Sequence, residues 1–256
     1  MPVGGWQIPV MWPGGAGSKY CRVERKGKKM ASIFDILGPV MVGPSSSHTA
    51  GAVRIGLIGR QLLGKQPKKA LIYLHGSFAA TGEGHGTDRA IVAGLLGMKP
   101  DDMRIPNSFE IAKEWGMDFT IQKKEIRGAH PNTVQMTLEA DGVDSLKIQA
   151  CSIGGGRIKV SKLDDIEVNF NAESNTLIVH NVDQPGHVAQ VANILSQKEI
   201  NIATMQLFRD KRGGYAVMVI ETDQIIPDQA ISWLENLEGI IKVTFLNVSG
   251  TAEEKE

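Results

Sequence analysis

The last third of the chain prescribes its own topology. Thr176–Val182 is an apolar strand run, Asp183-Gln184-Pro185-Gly186 a turn, and His187–Gln197 a helix with Val188, Val191 and Leu195 on one face. Ile200–Phe208 reads as a strand, Asp210–Gly214 as a hairpin turn and Tyr215–Glu221 as the returning strand. Pro227–Leu237 is a second helix with its proline in the first turn, and Gly239–Val248 closes with a strand. That order, β-α-β-β-α-β, is the ferredoxin-like split arrangement. It sets off residues 175–250 as a unit of their own.

The preceding stretch, residues 30–170, reads as a second folded unit. The run from His48 to Leu63 places Val53, Leu57, Leu62 and Leu63 at helical spacing, with small residues Ala50, Gly51, Ala52 and Gly56 between them. KKALIYLHGSF is a buried strand, GHGTDRAIVAGLLGM a second helix, and Phe109–Trp115 a third. Residues 118–124, 131–140 and 145–153 alternate as strands, Gly154-Gly155-Gly156 is a turn, and Arg157–Phe170 carries further strand pattern. The class is α+β. Trp115 and Trp233 are expected in the core.

Charge is divided unevenly. The formal net charge is zero, but residues 1–29 sum to +5 and the remainder to −5. The opening stretch is rich in Gly and Pro and lacks periodicity, so it reads as a disordered extension, or as an upstream start ahead of a folded chain that begins at Met30. The overall balance gives no field that favours nucleic acid or an anionic membrane. No apolar run approaches the roughly 18 residues of a membrane span. Two cysteines, Cys21 and Cys151, make no disulfide framework and fit a reducing, cytoplasmic compartment. Nor can they hold an iron–sulfur cluster or structural zinc by themselves, since such sites take about four ligands. Cys151, in an alternating strand, is expected to be a buried inert thiol.

Two segments carry chemistry. In Gly43-Pro44-Ser45-Ser46-Ser47-His48-Thr49-Ala50-Gly51, four hydroxyls and an imidazole crowd into a turn entering a helix. A helix N-terminus offers free amides and the positive dipole end to an anion, and a histidine moves protons near neutral pH. The plain alternative is a capping sequence with an exposed histidine. The second segment, His75-Gly76-Ser77-Phe78-Ala79-Ala80-Thr81-Gly82-Glu83-Gly84-His85-Gly86-Thr87-Asp88, starts at a strand end and runs as a glycine-rich connector into a helix. Strand ends and helix starts are where α/β architectures place ligands. The glycine spacing matches neither a dinucleotide loop nor a P-loop, and two histidines nine residues apart on a loop make no convincing metal site. Asn132, behind His130-Pro131, reads as an ordinary turn. In the C-terminal unit, Asn181 and Asp183 either hold a small amino acid's ammonium or simply form a turn and cap.

At GPSSSHTAGAVRIG followed by HGSFA-x-TG-x-GHGTDRA, the chain resembles the beta subunit of the bacterial iron–sulfur-dependent L-serine dehydratases (L-serine ammonia-lyases), over roughly residues 30–250. The resemblance implies a serine dehydratase beta domain, similar to the allosteric substrate-binding domain of some D-3-phosphoglycerate dehydrogenases, followed by an ACT domain. It implies a separate alpha subunit that holds a 4Fe-4S cluster, one iron acting as Lewis acid on the substrate hydroxyl. It implies L-serine as substrate, with pyruvate and ammonia as products. His48 would be the catalytic base, and Ser45, Ser46, Ser47 and Thr49 would hold the substrate carboxylate. His75, Ser77, Thr81, His85 and Asp88 would line or support the subunit junction. Asn181 and Asp183 match the effector-facing positions of ACT domains loosely, and the ACT domain offers a route to homo-oligomers.

Two other readings compete. One is an amino-acid-sensing regulatory module without chemistry, which needs no base among its serines. The other is a self-sufficient hydrolase using Ser47 and His48. It is disfavoured because adjacent residues at a helix start rarely face each other as nucleophile and base.

Overall fold

The computed structural model describes residues 40–248; the expected extension at 1–29 and Cys21 lie outside them. The first unit contains α1 (Gly51–Leu63), β1 (Lys69–Leu74), α2 (Gly76–His85), α3 (Thr87–Leu95), α4 (Ser108–Glu114), β2 (Asp118–Lys123), β3 (Thr133–Glu139), β4 (Leu146–Gly154), β5 (Arg157–Leu163) and β6 (Ile166–Phe170). The second contains β7 (Asn175–Val182), α5 (His187–Gln197), β8 (Ile202–Arg209), β9 (Tyr215–Thr222), α6 (Asp228–Glu235) and β10 (Ile240–Leu246). Among the described residues no helix is long and apolar enough to cross a membrane.

The first six strands form one sheet in the order β2-β1-β3-β4-β5-β6. Only β1 and β2 run parallel, with Lys69 opposite Asp118 and Leu74 opposite Lys123. A parallel pair needs a crossover connection, and α2, α3 and α4 supply it. The strand pattern over 157–170 resolves into a hairpin of β5 and β6. Asp164 and Asp165 take φ of 46° and 70°, the conformation of a two-residue type I′ turn, and Asp164 Oδ1 accepts the Lys147 amide at 2.9 Å.

Helix α1 lies at the centre. Ala52, Val53, Ile55, Ile58, Leu62 and Leu63 are buried, so it is covered on nearly every side. It stops at Gly64, whose amide donates to the Arg60 and Gln61 carbonyls. Where α1 crosses α3, glycine meets glycine. A Cβ on Gly56 would strike the Ile91 carbonyl oxygen, and one on Gly94 would strike that of Val53. The backbones touch there, which only the absence of side chains allows.

The glycine-rich connector is a correction. Gly76–His85 is a helix, α2, although its glycines and lack of an apolar stripe argue against one. Tertiary contacts override the propensity. Phe78 is fully buried in the core, and the Ser77 amide donates to the Pro131 carbonyl at 2.8 Å. Gly86, at φ 64°, separates α2 from α3.

The second unit has the ferredoxin-like order β10-β7-β9-β8, fully antiparallel. Leu177, Val179, Met218 and Ile220 pack beneath Val191, Leu195, Ala230 and Leu234 of α5 and α6. The other sheet face is also covered: Ile178, Val217, Val219 and Leu246 join the core of the first unit. This explains why β7 and β9 read as unbroken apolar runs. Lys242 of β10 donates from Nζ to the Leu62 carbonyl at 3.3 Å, capping the C-terminal end of α1.

Two core expectations fail, at Trp233 and Trp115, and the helix face read as Val188, Val191 and Leu195 is not buried as a whole. Val188 is exposed, because α5 turns His187, Val191 and Leu195 inward instead. Trp233 is 40% exposed: Ala230 and Leu234 take the buried face of α6, and the Lys198 ammonium lies 4.1 Å from the Trp233 ring centroid. Trp115 is 51% exposed, just past the end of α4.

Candidate active site

The site grows from the entry to α1. Ser45 is the N-cap in an extended conformation, and its Oγ accepts the His48 amide at 3.2 Å. Ser46–Ala50 then make one π turn, in which the Gly51 amide donates to the Ser46 carbonyl. A π turn is wider than an α turn, and such turns concentrate at functional sites. Here it swings the His48 ring towards α2.

Both ring nitrogens of His48 face serine hydroxyls. Nδ1 lies 3.1 Å from Ser47 Oγ and 3.4 Å from Ser45 Oγ, and Nε2 lies 2.9 Å from Ser77 Oγ on α2. The ring meets Phe78 edge to face at 5.2 Å and leans on the His85 ring at 5.1 Å. Burial, and then the charge of His85, lower the His48 pKa below its ordinary 6.5. The imidazole is therefore neutral at pH 7. With hydroxyls on both sides, either tautomer is satisfied, so one nitrogen can always present a lone pair.

The remaining sequence candidates divide. The Ser46 side chain makes no hydrogen bond among the described residues and stays available. Thr49 is buried, and its hydroxyl donates to the His85 carbonyl at 3.4 Å, tying the π turn to the end of α2. His75 turns elsewhere: its Nδ1 accepts the Ile126 amide at 3.1 Å. The Thr81 hydroxyl donates to the Ser77 carbonyl at 2.8 Å within α2. Asp88 accepts the Arg89 amide at 2.8 Å and lines a separate cavity with Ala79, Gly82 and Phe109. So the structure gathers Ser45, Ser47, His48, Ser77 and His85, and leaves His75, Thr81 and Asp88 with other partners.

Ser152 was not legible as part of this site, and Thr87 stood in the second motif without a role of its own. Ser152 on β4 is fully buried, and a Cβ on Gly51 would collide with its Oγ, so it presses directly on the π turn. Thr87 at the start of α3 is fully buried too. Ser152 Oγ, Thr87 Oγ1 and His85 Nδ1 are buried polar atoms without a partner among the described residues. Strand alternation from Ala150 would have placed Ser152 on the helix-facing side.

The objection to a Ser47–His48 pair also needs correcting. The two side chains do meet, because the π turn and the Ser45 cap bend Ser47 back onto its neighbour. Among the described residues no carboxylate orients the ring, however, since the opposite nitrogen faces Ser77.

In the second unit, Asp183 Oδ2 accepts the Gly213 amide at 2.9 Å and pairs with Arg209 Nη1 at 3.1 Å. The Gly213 amide, followed by Arg209, holds its pKa below the ordinary carboxylate value. Asn181 is buried, donating to the Val182 carbonyl at 2.6 Å, with its Oδ1 unpartnered among the described residues. Cys151 is buried and its thiol pKa is pushed up by that burial. Among the described residues, no group of three or more His, Cys, Asp or Glu side chains is placed to hold a metal ion.

Comparison with known proteins follows the same division. Residues 32–163 match the family of the serine dehydratase beta chain, and residues 175–239 match the ACT domain. The chain is 42% identical to the probable L-serine dehydratase beta chain of Bacillus subtilis, covering 84% of this chain and 98% of that one. It is 34% identical to the L-serine dehydratase beta chain of Peptoniphilus asaccharolyticus, covering 85% and 98%. It is also 23% identical to the D-3-phosphoglycerate dehydrogenase of Bacillus subtilis, over 77% of this chain but 37% of that enzyme. With near end-to-end similarity to two such chains, this protein belongs to the serine dehydratase beta chain family and carries an ACT domain after its beta domain.

Proposed function

We propose that the chain is the beta subunit of a cytoplasmic L-serine dehydratase, which with an alpha subunit converts L-serine to pyruvate and ammonia. The observation that carries this reading is His48: neutral, held between hydroxyls from two elements, at the mouth of a helix N-terminus. A neutral imidazole accepts a proton from the substrate Cα, and the hydroxyl-lined N-terminus suits the substrate carboxylate. Ser45, Ser46 and Ser47 bind that carboxylate, and Thr49 fixes the turn that presents them. Ser77 holds Nε2 until substrate takes its place, and the proton arrives at that nitrogen. His85, its ring 5.1 Å from that of His48, disfavours the charged form of His48. His75, Thr81 and Asp88 support the surrounding junction rather than the reacting atoms.

The described residues of this chain do not fit a 4Fe-4S cluster. The one cysteine among them is buried in the sheet, and no group of His, Cys, Asp or Glu side chains among them is placed to hold a metal. The cluster and the activation of the leaving hydroxyl therefore rest with the alpha subunit. Asn181 and Asp183 would sit at an effector site of the ACT domain, though Asp183 already serves the hairpin at 210–214.

The test is His48→Ala in the reconstituted two-subunit enzyme. Pyruvate formation should fall by about 10²–10⁴-fold while the complex still assembles. Turnover within a few-fold of the parent would remove His48 from the role of base. A purely amino-acid-sensing module would instead bind serine without any dehydratase depending on it.

A further inference from the structure

A cavity lies on the other side of α2 from His48, between α2, α3, α4 and β2. Its volume is about 240 Å³. Leu74, Phe109, Phe119 and Ile121 form its apolar wall, with the two phenylalanine rings 4.9 Å apart. Asp88, Gln122 and Lys123 also line it.

The charges are what distinguish this cavity from a packing gap. Asp88 accepts a bond from its own neighbour's amide through Oδ1, and it forms no ion pair among the described residues. Lys123 forms neither a hydrogen bond nor an ion pair among them. The adjacent Lys124, by contrast, donates to Gln135 at 3.2 Å and sits over the Tyr73 ring. One carboxylate and one ammonium therefore share a small apolar cavity without pairing to each other. We propose that this cavity binds a free α-amino acid with an apolar side chain, its ammonium on Asp88, its carboxylate on Lys123 and its side chain on the phenylalanines.

The chemistry excludes close competitors. A phosphate or dicarboxylate would face Asp88, and a diamine would face Lys123. Serine, lacking an apolar side chain, would leave the wall of Phe109, Phe119 and Ile121 uncovered, which disfavours it against leucine or phenylalanine. The volume admits one residue and not a peptide. Binding would bear on α2, the helix that positions Ser77 against His48. The proposal does not depend on the role of His48.

Calorimetric titration of the full chain with leucine or phenylalanine tests it. Saturable binding is expected at about 1–10 mM or below, with leucinamide, N-acetyl-leucine and serine each at least about tenfold weaker. Asp88→Asn should weaken leucine at least about tenfold, and so should Lys123→Gln at the exposed strand edge, where folding is not at stake. Amide shifts on titration should centre on Gly82 and Ile121. The proposal is overturned if neither amino acid binds the folded chain, if both variants bind as the parent does, or if the shifts centre on residues 175–248.

Discussion

His48 Nε2 and Ser77 Oγ lie 2.9 Å apart, although one residue sits in the π turn before α1 and the other in the first turn of α2. This bond joins the two sequence motifs. Replacing Ser77 by Ala leaves a half-buried ring nitrogen without its partner. Activity of the two-subunit enzyme should fall by about tenfold to a hundredfold, and the denaturant midpoint should drop by the equivalent of about 1 kcal/mol. Pyruvate assays beside urea titrations check both. A variant that loses stability but keeps full turnover would reduce Ser77 to a structural strut.

The pH profile follows from the lowered His48 pKa, caused first by burial and then by His85. The acid limb of kcat/KM should lie below pH 6.5, the ordinary value for histidine. His85→Ala removes the like charge and should move that limb upward. Stability has a definite sign as well. The unfolded chain binds this proton more readily than the folded one, so stability is fully present above pH 6.5 and declines as pH falls through the folded pKa. His180, whose pKa burial also lowers, adds to the same decline. Urea midpoints from pH 7.5 down to 5.5 measure it.

What the sequence disclosed, and what it hid, divides by the range of the forces involved. The βαββαβ order was legible because strands and helices there follow local periodicity. The serines and His48 stood out because hydroxyls and an imidazole crowd a helix start. Helix α2 was hidden because its stability comes from Phe78 in the core and from Pro131 across a loop, not from its own residues. The separation of Asp88 from His48 was hidden too, since one turn of helix decides which side a residue faces. Trp233 misled because bulk suggests burial, whereas the ring serves as a platform for Lys198.

The contact between α1 and α3 gives a third test. Gly94→Ala drives a methyl group into the Val53 carbonyl, where neither backbone has room to yield. A destabilisation of about 1–3 kcal/mol is expected, together with a loss of activity, because the displaced α1 carries the π turn with it. Gly84→Ala is the control, since a Cβ there meets nothing within 4 Å. Thermal midpoints of the two variants should therefore differ clearly.

Cys151 supplies a test of the sheet. Its thiol is buried on β4 and its pKa is raised, so little thiolate forms at pH 8. With Cys21 replaced by serine, iodoacetamide should label the folded chain slowly and the urea-unfolded chain fast. Equal rates would place the thiol at the surface.

The hairpin of the ACT domain hangs on Asp183. Its Oδ2 accepts the Gly213 amide and the Arg209 guanidinium, and these hold its pKa below 3.8. Because the folded pKa is depressed, the contribution to stability is present above that value and is lost as pH falls through the folded pKa. Asp183→Asn weakens both bonds at once by removing the charge. The amide of Gly213 should then exchange with solvent faster, while amides of β7 and β9 in the buried sheet keep their protection. Exchange measured at pH 6 isolates the effect, since the parent carboxylate is ionised there. If Gly213 exchanges at the parent rate, the hairpin is held by its own turn at Asp210, whose Oδ1 accepts the Lys211 and Tyr215 amides, and Asp183 is free to meet a ligand instead.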